Sequence, residues 1–371
     1  MKMIVLLVVF WSGFSKALNV NEACITPCNT PGTCVEAVKC PYAISILRKQ
    51  NATYQDSEYL SNSICGRLSE SRSVPLICCP SLPNLGECGT LDIGRRIFGG
   101  DVTEHGQHPW AAVLIYNLGR NQFAPECSGS LINSRFVLTA AHCILEIPRK
   151  WKLQKVRFSE WNALKKANCT IVNDEKICRR DYAIESIIVH SDYRKKDPNR
   201  MHDIALVKLV EEVTFDKYVR PICLPMDVSI QELPIDSEEF TVTGWGVTET
   251  GYRSAVQLHV DLVGRSNTVC DKAYSPIGIT LTDTHLCVGG AKGKDSCKGD
   301  SGGPLLRLVG TVWYQVGVVS FGSKFCGTTG MPGVYTNVAK HIDWIVQTVH
   351  ESYCRKETSD ERLILTDISY T

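Results

Sequence analysis

Residues 299–304 have the sequence Gly299-Asp300-Ser301-Gly302-Gly303-Pro304, and this stretch decides how the chain is interpreted. A serine hydroxyl is a poor nucleophile at neutral pH and needs a neighbouring base to take its proton. Glycines on both sides of Ser301 allow the backbone to turn sharply and to bring its N–H groups close to a reacting carbonyl. A string of this composition is more often a simple turn, so the prediction of an activated serine depends on the rest of the chain.

Two upstream segments offer a base and an acid for that serine. Leu138-Thr139-Ala140-Ala141-His142-Cys143 ends a strand-like run with a histidine, and Met201-His202-Asp203-Ile204-Ala205-Leu206 opens an apolar run with an aspartate. Taken alone, such a histidine is usually structural and such an aspartate is usually a cap. The order His, Asp, Ser is one of the known chain orders of the catalytic triad, so the three segments together predict a Ser–His–Asp site.

The bulk properties of the chain favour a secreted globular protein. Of its 371 residues, 44% are hydrophobic and 21% are charged, and the net charge of +1 gives no reason to expect a nucleic acid or membrane partner. Eighteen cysteines indicate an oxidising compartment. Lys2, the apolar stretch to Phe14 and Ser15-Lys16-Ala17 predict a signal peptide over residues 1–17, since about 12 apolar residues are too few to span a membrane.

The chain has two parts that differ in amino-acid composition and pattern. Residues 24–79 hold seven cysteines and few apolar runs, so a small module stapled by disulfides is expected there. Residues 80–96 form a linker, and residues 97–353 contain many short β-branched and aromatic runs that predict a barrel or a sandwich. Near the end, Ile342, Ile345, Val346 and Val349 have helical spacing. Residues 354–371 are a polar tail.

Residues 97–353 resemble the chymotrypsin/trypsin family of serine proteases throughout. Besides the three catalytic segments, Pro109-Trp110, Gly244-Trp245-Gly246 and Gly333-Val334-Tyr335 carry the resemblance. It implies an all-β fold of two six-stranded antiparallel β-barrels with a C-terminal helix, and an active site in the cleft between the barrels.

The resemblance also implies a role for each catalytic residue. Ser301 Oγ attacks the scissile carbonyl, His142 takes and returns the proton, and Asp203 holds the imidazole tautomer. The N–H groups of Gly299 and Ser301 form the oxyanion hole. Ser320, just before Phe321-Gly322, matches the serine that supports the aspartate of the triad.

Primary specificity is assigned to Asp295, six residues before Ser301. In the family this position is the floor of the pocket, and a buried carboxylate there favours a substrate Arg or Lys and refuses an apolar side chain. Gly322 and Gly333 match the glycines that line the pocket, and Ser296 should help to accept Lys. A surface aspartate in a loop is the alternative.

The segment Gly94-Arg95-Arg96-Ile97-Phe98-Gly99-Gly100 resembles the family's activation site. Cleavage after Arg96 would free the amine of Ile97, which in relatives enters the domain and pairs with the aspartate before the serine, here Asp300. A buried carboxylate needs a counter-charge, so the chain is expected to be an inactive precursor. Because the bond follows an arginine, the activating protease should itself be trypsin-like.

The front module resembles the arthropod clip domain in Cys24-Ile-Thr-Pro, Gly32-Thr-Cys34, Cys40-Pro41, Cys65-Gly66 and the doublet Cys78-Cys79. A whey-type or defensin-like module is the alternative, and the doublet argues against it. Six cysteines allow 15 pairings. The resemblances imply Cys24–Cys78, Cys34–Cys65 and Cys40–Cys79 in the clip domain, Cys88–Cys223 as a tether, and Cys127–Cys143, Cys169–Cys178, Cys270–Cys287 and Cys297–Cys326 in the catalytic domain.

Those assignments leave over Cys28 and Cys354. An exposed free thiol is a liability in an oxidising compartment, and we hypothesise a Cys28–Cys354 bond. Two free thiols, or a bond from either to another chain, are the alternatives.

Three further features are predicted from local sequence. Asn51 and Asn168 begin Asn-X-Thr sequons and are candidate glycosylation sites. Glu160 lies where some relatives begin a calcium loop, and hard oxygen ligands suit calcium. A solvated acidic loop is the alternative, and the chemistry itself requires no cofactor.

The sequence is therefore interpreted as a secreted clip-domain serine protease zymogen, in haemolymph or venom, that cleaves after Arg or Lys in an extracellular cascade. Its expected partners are an upstream trypsin-like activator, serpin inhibitors and a protein substrate: prophenoloxidase, a cytokine precursor of the Toll pathway or another protease zymogen. A venom protease of the same family and a non-catalytic clip-domain adaptor are the alternatives.

Overall fold

The computed structural model describes residues 17–49, 51–68, 74–82, 88–91, 102–120, 122–163, 168–172, 174–248, 252–292, 296–323 and 326–354. The activation residues Arg96 and Ile97, the pocket residue Asp295, nearly all of the predicted signal peptide and the tail beyond Cys354 lie outside the described residues. The chain divides into two compact units. The first takes residues up to Ser81 together with the last turn of the C-terminal helix from His350, and the second runs from Leu82 to Val349.

The first unit contains a four-stranded antiparallel sheet and two short helices. Strands β1 (Ala23–Ile25), β2 (Pro31–Glu36), β3 (Ile64–Leu68) and β4 (Val74–Pro80) lie in the order β1-β2-β4-β3. Helices α1 (Pro41–Leu47) and α2 (Tyr54–Asn62) connect β2 to β3. The Thr53 hydroxyl and the Asp56 carboxylate each accept a backbone N–H from the other residue, which fixes the start of α2. The buried core around Cys40, Ala43 and Ile77 is small, as expected of a unit that depends on disulfides.

The second unit begins with a closed antiparallel barrel of six strands. In spatial order the strands are β11, β12, β7, β6, β5 and β8. Closure pairs every strand on both sides and leaves no free edge. The bounds are β5 Ala111–Gly119, β6 Gln122–Leu131, β7 Phe136–Thr139, β8 Lys152–Phe158, β11 Arg180–Val189 and β12 Ala205–Leu209, with a separate hairpin of β9 (Cys169–Val172) and β10 (Glu175–Cys178).

A second closed six-stranded barrel follows. Its core contains Phe240, Val242, Leu305 and Tyr335. Its strands are β13 (Glu239–Gly244), β14 (Leu258–Arg265), β15 (His285–Val288), β18 (Gly333–Asn337), β17 (Val312–Phe321) and β16 (Pro304–Val309), in this spatial order. The predicted trypsin-like fold class is thereby confirmed.

The remaining helices are short except for the last. They are α3 (His142–Leu145), α4 (Val228–Gln231), α5 (Asn267–Tyr274) and α6 (Ile342–Cys354). Ile345 and Val349 of α6 are buried, in agreement with the predicted apolar face. None of the helices that the structure describes has the length and apolar character needed to cross a membrane.

All eighteen cysteines lie in disulfides, and none is free. The Cys28–Cys354 bond lies within the first unit, with Cα atoms 4.8 Å apart. The pairs are the same as those inferred from the sequence: Cys24–Cys78, Cys28–Cys354, Cys34–Cys65, Cys40–Cys79, Cys88–Cys223, Cys127–Cys143, Cys169–Cys178, Cys270–Cys287 and Cys297–Cys326.

Candidate active site

The acid of the predicted triad, Asp203, lies two residues before the start of β12 and has no solvent exposure. Its Oδ1 accepts the backbone N–H of His142 at 2.8 Å, and its Oδ2 lies 2.7 Å from His142 Nδ1. The Ser320 hydroxyl donates to the same Oδ2 at 2.5 Å. Burial opposes ionisation of this carboxyl, but the His142 ring and these donors outweigh it and hold the pKa of Asp203 below its ordinary value.

The base, His142, begins helix α3 just after β7. The neighbouring Cys143 is bonded to Cys127 of β6, and the Tyr116 hydroxyl donates to the Cys143 carbonyl at 2.9 Å. Because a carboxylate only accepts hydrogen bonds, the contact with Asp203 places the proton on His142 Nδ1. The lone pair of Nε2 is then available to take a proton.

Ser301 lies in the turn before β16 of the second barrel. Its carbonyl accepts the N–H of Ser128 on β6 at 2.8 Å and lies 3.6 Å from the sulfur of Cys143. Gly302 has φ +77°, and a Cβ there would lie 2.2 Å from Thr139 Oγ1, so a side chain at this position would collide with β7. The turn therefore carries Ser301 to the segment that holds His142.

Two backbone donors beside Ser301 are available for a developing negative charge. Among the described residues, the N–H groups of Gly299 and Ser301 have no protein acceptor. The carbonyl of Gly299 instead accepts the Ser128 hydroxyl at 3.1 Å, which fixes the peptide from its other side. These are the two donors that the sequence assigns to the oxyanion hole.

Asp300 is a buried carboxyl that forms no salt bridge among the described residues, and Arg253, whose positive charge acts on it, is itself paired with Glu126. Its Oδ1 accepts the N–H of Gly246 at 2.8 Å, and its Oδ2 accepts that of Cys297 at 3.0 Å. Burial raises the pKa of Asp300 to about 6 in spite of these donors. The backbone donors and the charge of Arg253 thus only partly offset the effect of burial on this carboxyl.

The predicted specificity pocket is described in part. A Cβ at Gly322 would find only the Gly333 Cα nearby, at 3.8 Å, so the two glycines face each other across open space. The Ser296 hydroxyl lies 3.2 Å from the Tyr335 hydroxyl. Asp295 itself lies outside the described residues.

The structure adds supporting residues that the sequence did not single out. The Thr336 hydroxyl donates to the Asp203 carbonyl at 2.8 Å. The Arg200 guanidinium donates to the Ser320 carbonyl at 3.1 Å and to the Glu146 carboxylate at 2.9 Å. Nothing in the local sequence distinguishes these side chains from ordinary surface or strand residues.

Glu160 does not fit a calcium site. Its carboxylate is buried, 2.9 Å from Arg179 Nε and 3.4 Å from the Arg157 guanidinium, so two cations already satisfy it. Glu175, an acidic residue that follows further along the chain, pairs with Lys217. Glu160 also belongs to no cluster of three potential metal ligands among the described residues. The candidate glycosylation sites Asn51 and Asn168 are both exposed.

The barrels, the buried Asp203–His142 pair and the serine turn define a trypsin-like serine endopeptidase. The trypsin family model matches residues 97–345, and the model described as the regulatory CLIP domain of proteinases matches residues 24–79. The chain belongs to the clip-domain serine proteases.

Individual relatives support the assignment to this family. The "CLIP domain-containing serine protease B15" of Anopheles gambiae is 47% identical, over 93% of this chain and 97% of that protein. "Melanization protease 1" and "Spaetzle-processing enzyme" of Drosophila melanogaster are 34% and 36% identical, over 88% and 90% of this chain and 92% and 93% of their own lengths. The crystal structure of the Drosophila Grass clip serine protease of the Toll pathway has a TM-score of 0.63 at 30% identity, and the match covers 89% of this chain and 98% of that one.

Proposed function

We propose that this chain is a secreted zymogen that, once cleaved after Arg96, hydrolyses protein substrates after Arg or Lys in an extracellular proteolytic cascade. The observation that carries the proposal is the buried Asp203 carboxylate, which lies 2.7 Å from Nδ1 of His142, the residue before the cysteine whose sulfur lies 3.6 Å from the Ser301 carbonyl. A non-catalytic adaptor has no need of this arrangement.

The proposed reaction uses the residues in fixed order. His142 Nε2 takes the Ser301 Oγ proton while Oγ attacks the scissile carbonyl carbon, and the carbonyl oxygen becomes an oxyanion. The N–H groups of Gly299 and Ser301 stabilise that oxyanion. His142 then gives its proton to the leaving amine, and water removes the acyl group by the same steps. Asp203 stays ionised throughout and stabilises the imidazolium.

The proposed activation follows from the charge of Asp300. In the uncleaved chain its buried carboxyl has backbone donors and no salt bridge among the described residues. A new α-amino group at Ile97, released by cleavage after Arg96, would supply a cation and order the segment that leads to Ser301. The activator must then accept arginine, as a trypsin-like protease does.

Two proposals concern the setting of the enzyme. Nine disulfides favour an oxidising compartment, which supports secretion and removal of residues 1–17. Relatives named for melanisation and for Spaetzle processing support an immune cascade with a protein substrate. Serpins as inhibitors are proposed from the sequence resemblance alone. The choice among prophenoloxidase, a cytokine precursor and another zymogen depends on surface loops.

The test is hydrolysis of a chromogenic peptide with Arg before the reporter, measured before and after cleavage by a trypsin-like protease that is then removed. Activity should appear only after cleavage and only in the protein with Ser301. The Ser301→Ala variant should cleave at Arg96 equally well and lose about 10⁶ in turnover. Turnover by that variant, or by the Arg96→Gln precursor, would contradict the proposal.

A further inference from the structure

Three histidines that the triad does not use lie together on the second unit. His190 directly follows β11, His202 directly precedes Asp203, and His341 lies in the turn before α6. His202 Nδ1 lies 3.1 Å from His341 Nε2, and the rings of His190 and His202 stack with centroids 4.8 Å apart. One ring nitrogen from each of the three lies within 4.8 Å of the other two.

We propose that His190, His202 and His341 bind a Zn²⁺ ion, and that the bound ion lowers peptidase activity through Asp203. Three imidazoles with an open fourth position are a common zinc ligand set. Zn–N bonds of 2.0–2.1 Å place tetrahedral ligand nitrogens about 3.4 Å apart, close to the observed 3.1 Å between His202 and His341.

The best prepared ligand is His341. Its Nδ1 lies 2.7 Å from the Asn337 carbonyl, and a carbonyl only accepts, so Nδ1 carries the proton. The Nε2 lone pair then faces His202. A hydrogen bond from the far ring nitrogen to a carbonyl is how proteins usually orient a zinc-binding histidine. His341 is only 2% exposed, so its position is set by packing as well.

The other two rings must adjust. Without metal, His202 Nδ1–H donates to His341 Nε2, so zinc binding requires this proton to move to the opposite nitrogen of His202. His190 Nδ1 accepts the Asp192 N–H at 3.2 Å, and the ring must release this bond and turn out of its stack. Both rings are half-buried, which leaves room for this motion and for a water as fourth ligand.

The ion would act on catalysis because His202 and Asp203 are consecutive. His202 has a left-handed backbone with φ +57°, and its carbonyl accepts the Ile204 N–H at 2.8 Å. A pull on the His202 ring is transmitted through one peptide to the carboxylate that lies 2.7 Å from His142 Nδ1. We therefore expect zinc to lower kcat with little change in KM. This inhibitory effect rests on the proposed function, whereas binding of the ion does not.

Binding is tested by isothermal titration of Zn²⁺ into the full chain carrying Ser301→Ala, and by the visible absorption of added Co²⁺. We expect one site that disappears in His190→Gln and in His202→Asn, since asparagine tolerates the left-handed backbone. The matched control is His105→Gln, another half-buried histidine of the same unit that lies against Trp161, and it should keep the site.

Inhibition is tested separately on the activated enzyme. Zinc at the concentration that fills the site should lower kcat at least tenfold, and His190→Gln should keep its basal activity and lose this inhibition. Equal inhibition of His190→Gln would mean that the ion acts at His142 instead, and absence of the titrated site in the Ser301→Ala chain would overturn the proposal whether or not the enzyme is active.

Discussion

Cleavage after Arg96 would divide the chain into a light chain with the clip domain and a heavy chain with the two barrels. Sequence resemblance assigned the link between them to Cys88–Cys223. The structure has a second crossing bond, Cys28–Cys354. Replacing Cys88 and Cys223 by Ser should therefore leave the cleaved chains covalently joined.

The loss in free energy of unfolding on removing each disulfide depends on the length of the loop that the disulfide closes. Cys88 and Cys223 are 135 residues apart, and Cys28 and Cys354 are 326 apart, or about 100 by the shortest path through the other disulfides. The chain-entropy limit is then about 5 kcal/mol for either bond, and native disulfides commonly deliver about 2–4 kcal/mol. Loss of Cys28–Cys354 should mainly destabilise the first unit, because that unit contains both cysteines.

The assay is a non-reducing gel of four proteins, all with Ser301→Ala and all cut at Arg96. One band is expected from each of three proteins: the one that keeps all four cysteines, the Cys88/Cys223 double variant and the Cys28/Cys354 double variant. The variant that lacks all four cysteines should give two. Separation of the Cys88/Cys223 variant without reductant would refute the reasoning, and thermal melts of the uncut proteins give the energetic cost.

Three further predictions concern the catalytic domain. Asp295→Ser should reduce the preference for Arg and Lys peptides by about 10²–10³, which a peptide panel would measure; an unchanged preference would mean that another residue selects the side chain. Ser320→Ala removes the 2.5 Å hydrogen bond to Asp203 and should lower kcat/KM about 10- to 100-fold in steady-state kinetics, and unchanged kinetics would contradict this role. Burial raises the pKa of Asp300 to about 6, so the folded precursor keeps a proton that the unfolded chain loses near pH 4. The stability of the precursor should thus fall by up to about 3 kcal/mol from pH 4 to pH 7, and urea melts of Asp300→Asn should lack this fall.

Much of the fold could be predicted because the strands of a closed barrel are short and strongly apolar. Among the short apolar runs of the sequence, Ala111–Tyr116 and Phe240–Thr243 lie within β5 and β13, and Val312–Phe321 coincides with β17. Another run, Ile187–His190, covers only the last three residues of β11 and the residue after it, and the earlier residues of β11 alternate between half-buried and exposed. The apolar signal marks the buried part of a strand, and backbone pairing extends beyond it.

The residues of the candidate site also fall into two groups, those that sequence motifs identify and those that only the structure reveals. Ser301, His142 and Asp203 lie in motifs whose composition indicates their chemistry. Thr336 and Arg200 support the site through hydrogen bonds to the backbone carbonyls of Asp203 and Ser320, and such bonds cannot be recognised in the local sequence. The three-histidine cluster was also invisible, because its members are separated by as many as 151 positions and meet only after the barrels form.

Asp300 gives a physical reason for a motif that was at first only a resemblance. The segment Gly244-Trp245-Gly246 surrounds the carboxylate so closely that a Cβ at Gly244 would lie 2.0 Å from Oδ1, and one at Gly246 would lie 2.3 Å from Oδ2. Both glycines are therefore required for Asp300 to be buried at all. Such close packing keeps water away from the Asp300 carboxylate. This desolvation raises the pKa of Asp300 and makes a neighbouring cation favourable. Ser301 is the next residue along the chain, so the glycines that fit this carboxylate also help to set the position of the nucleophile.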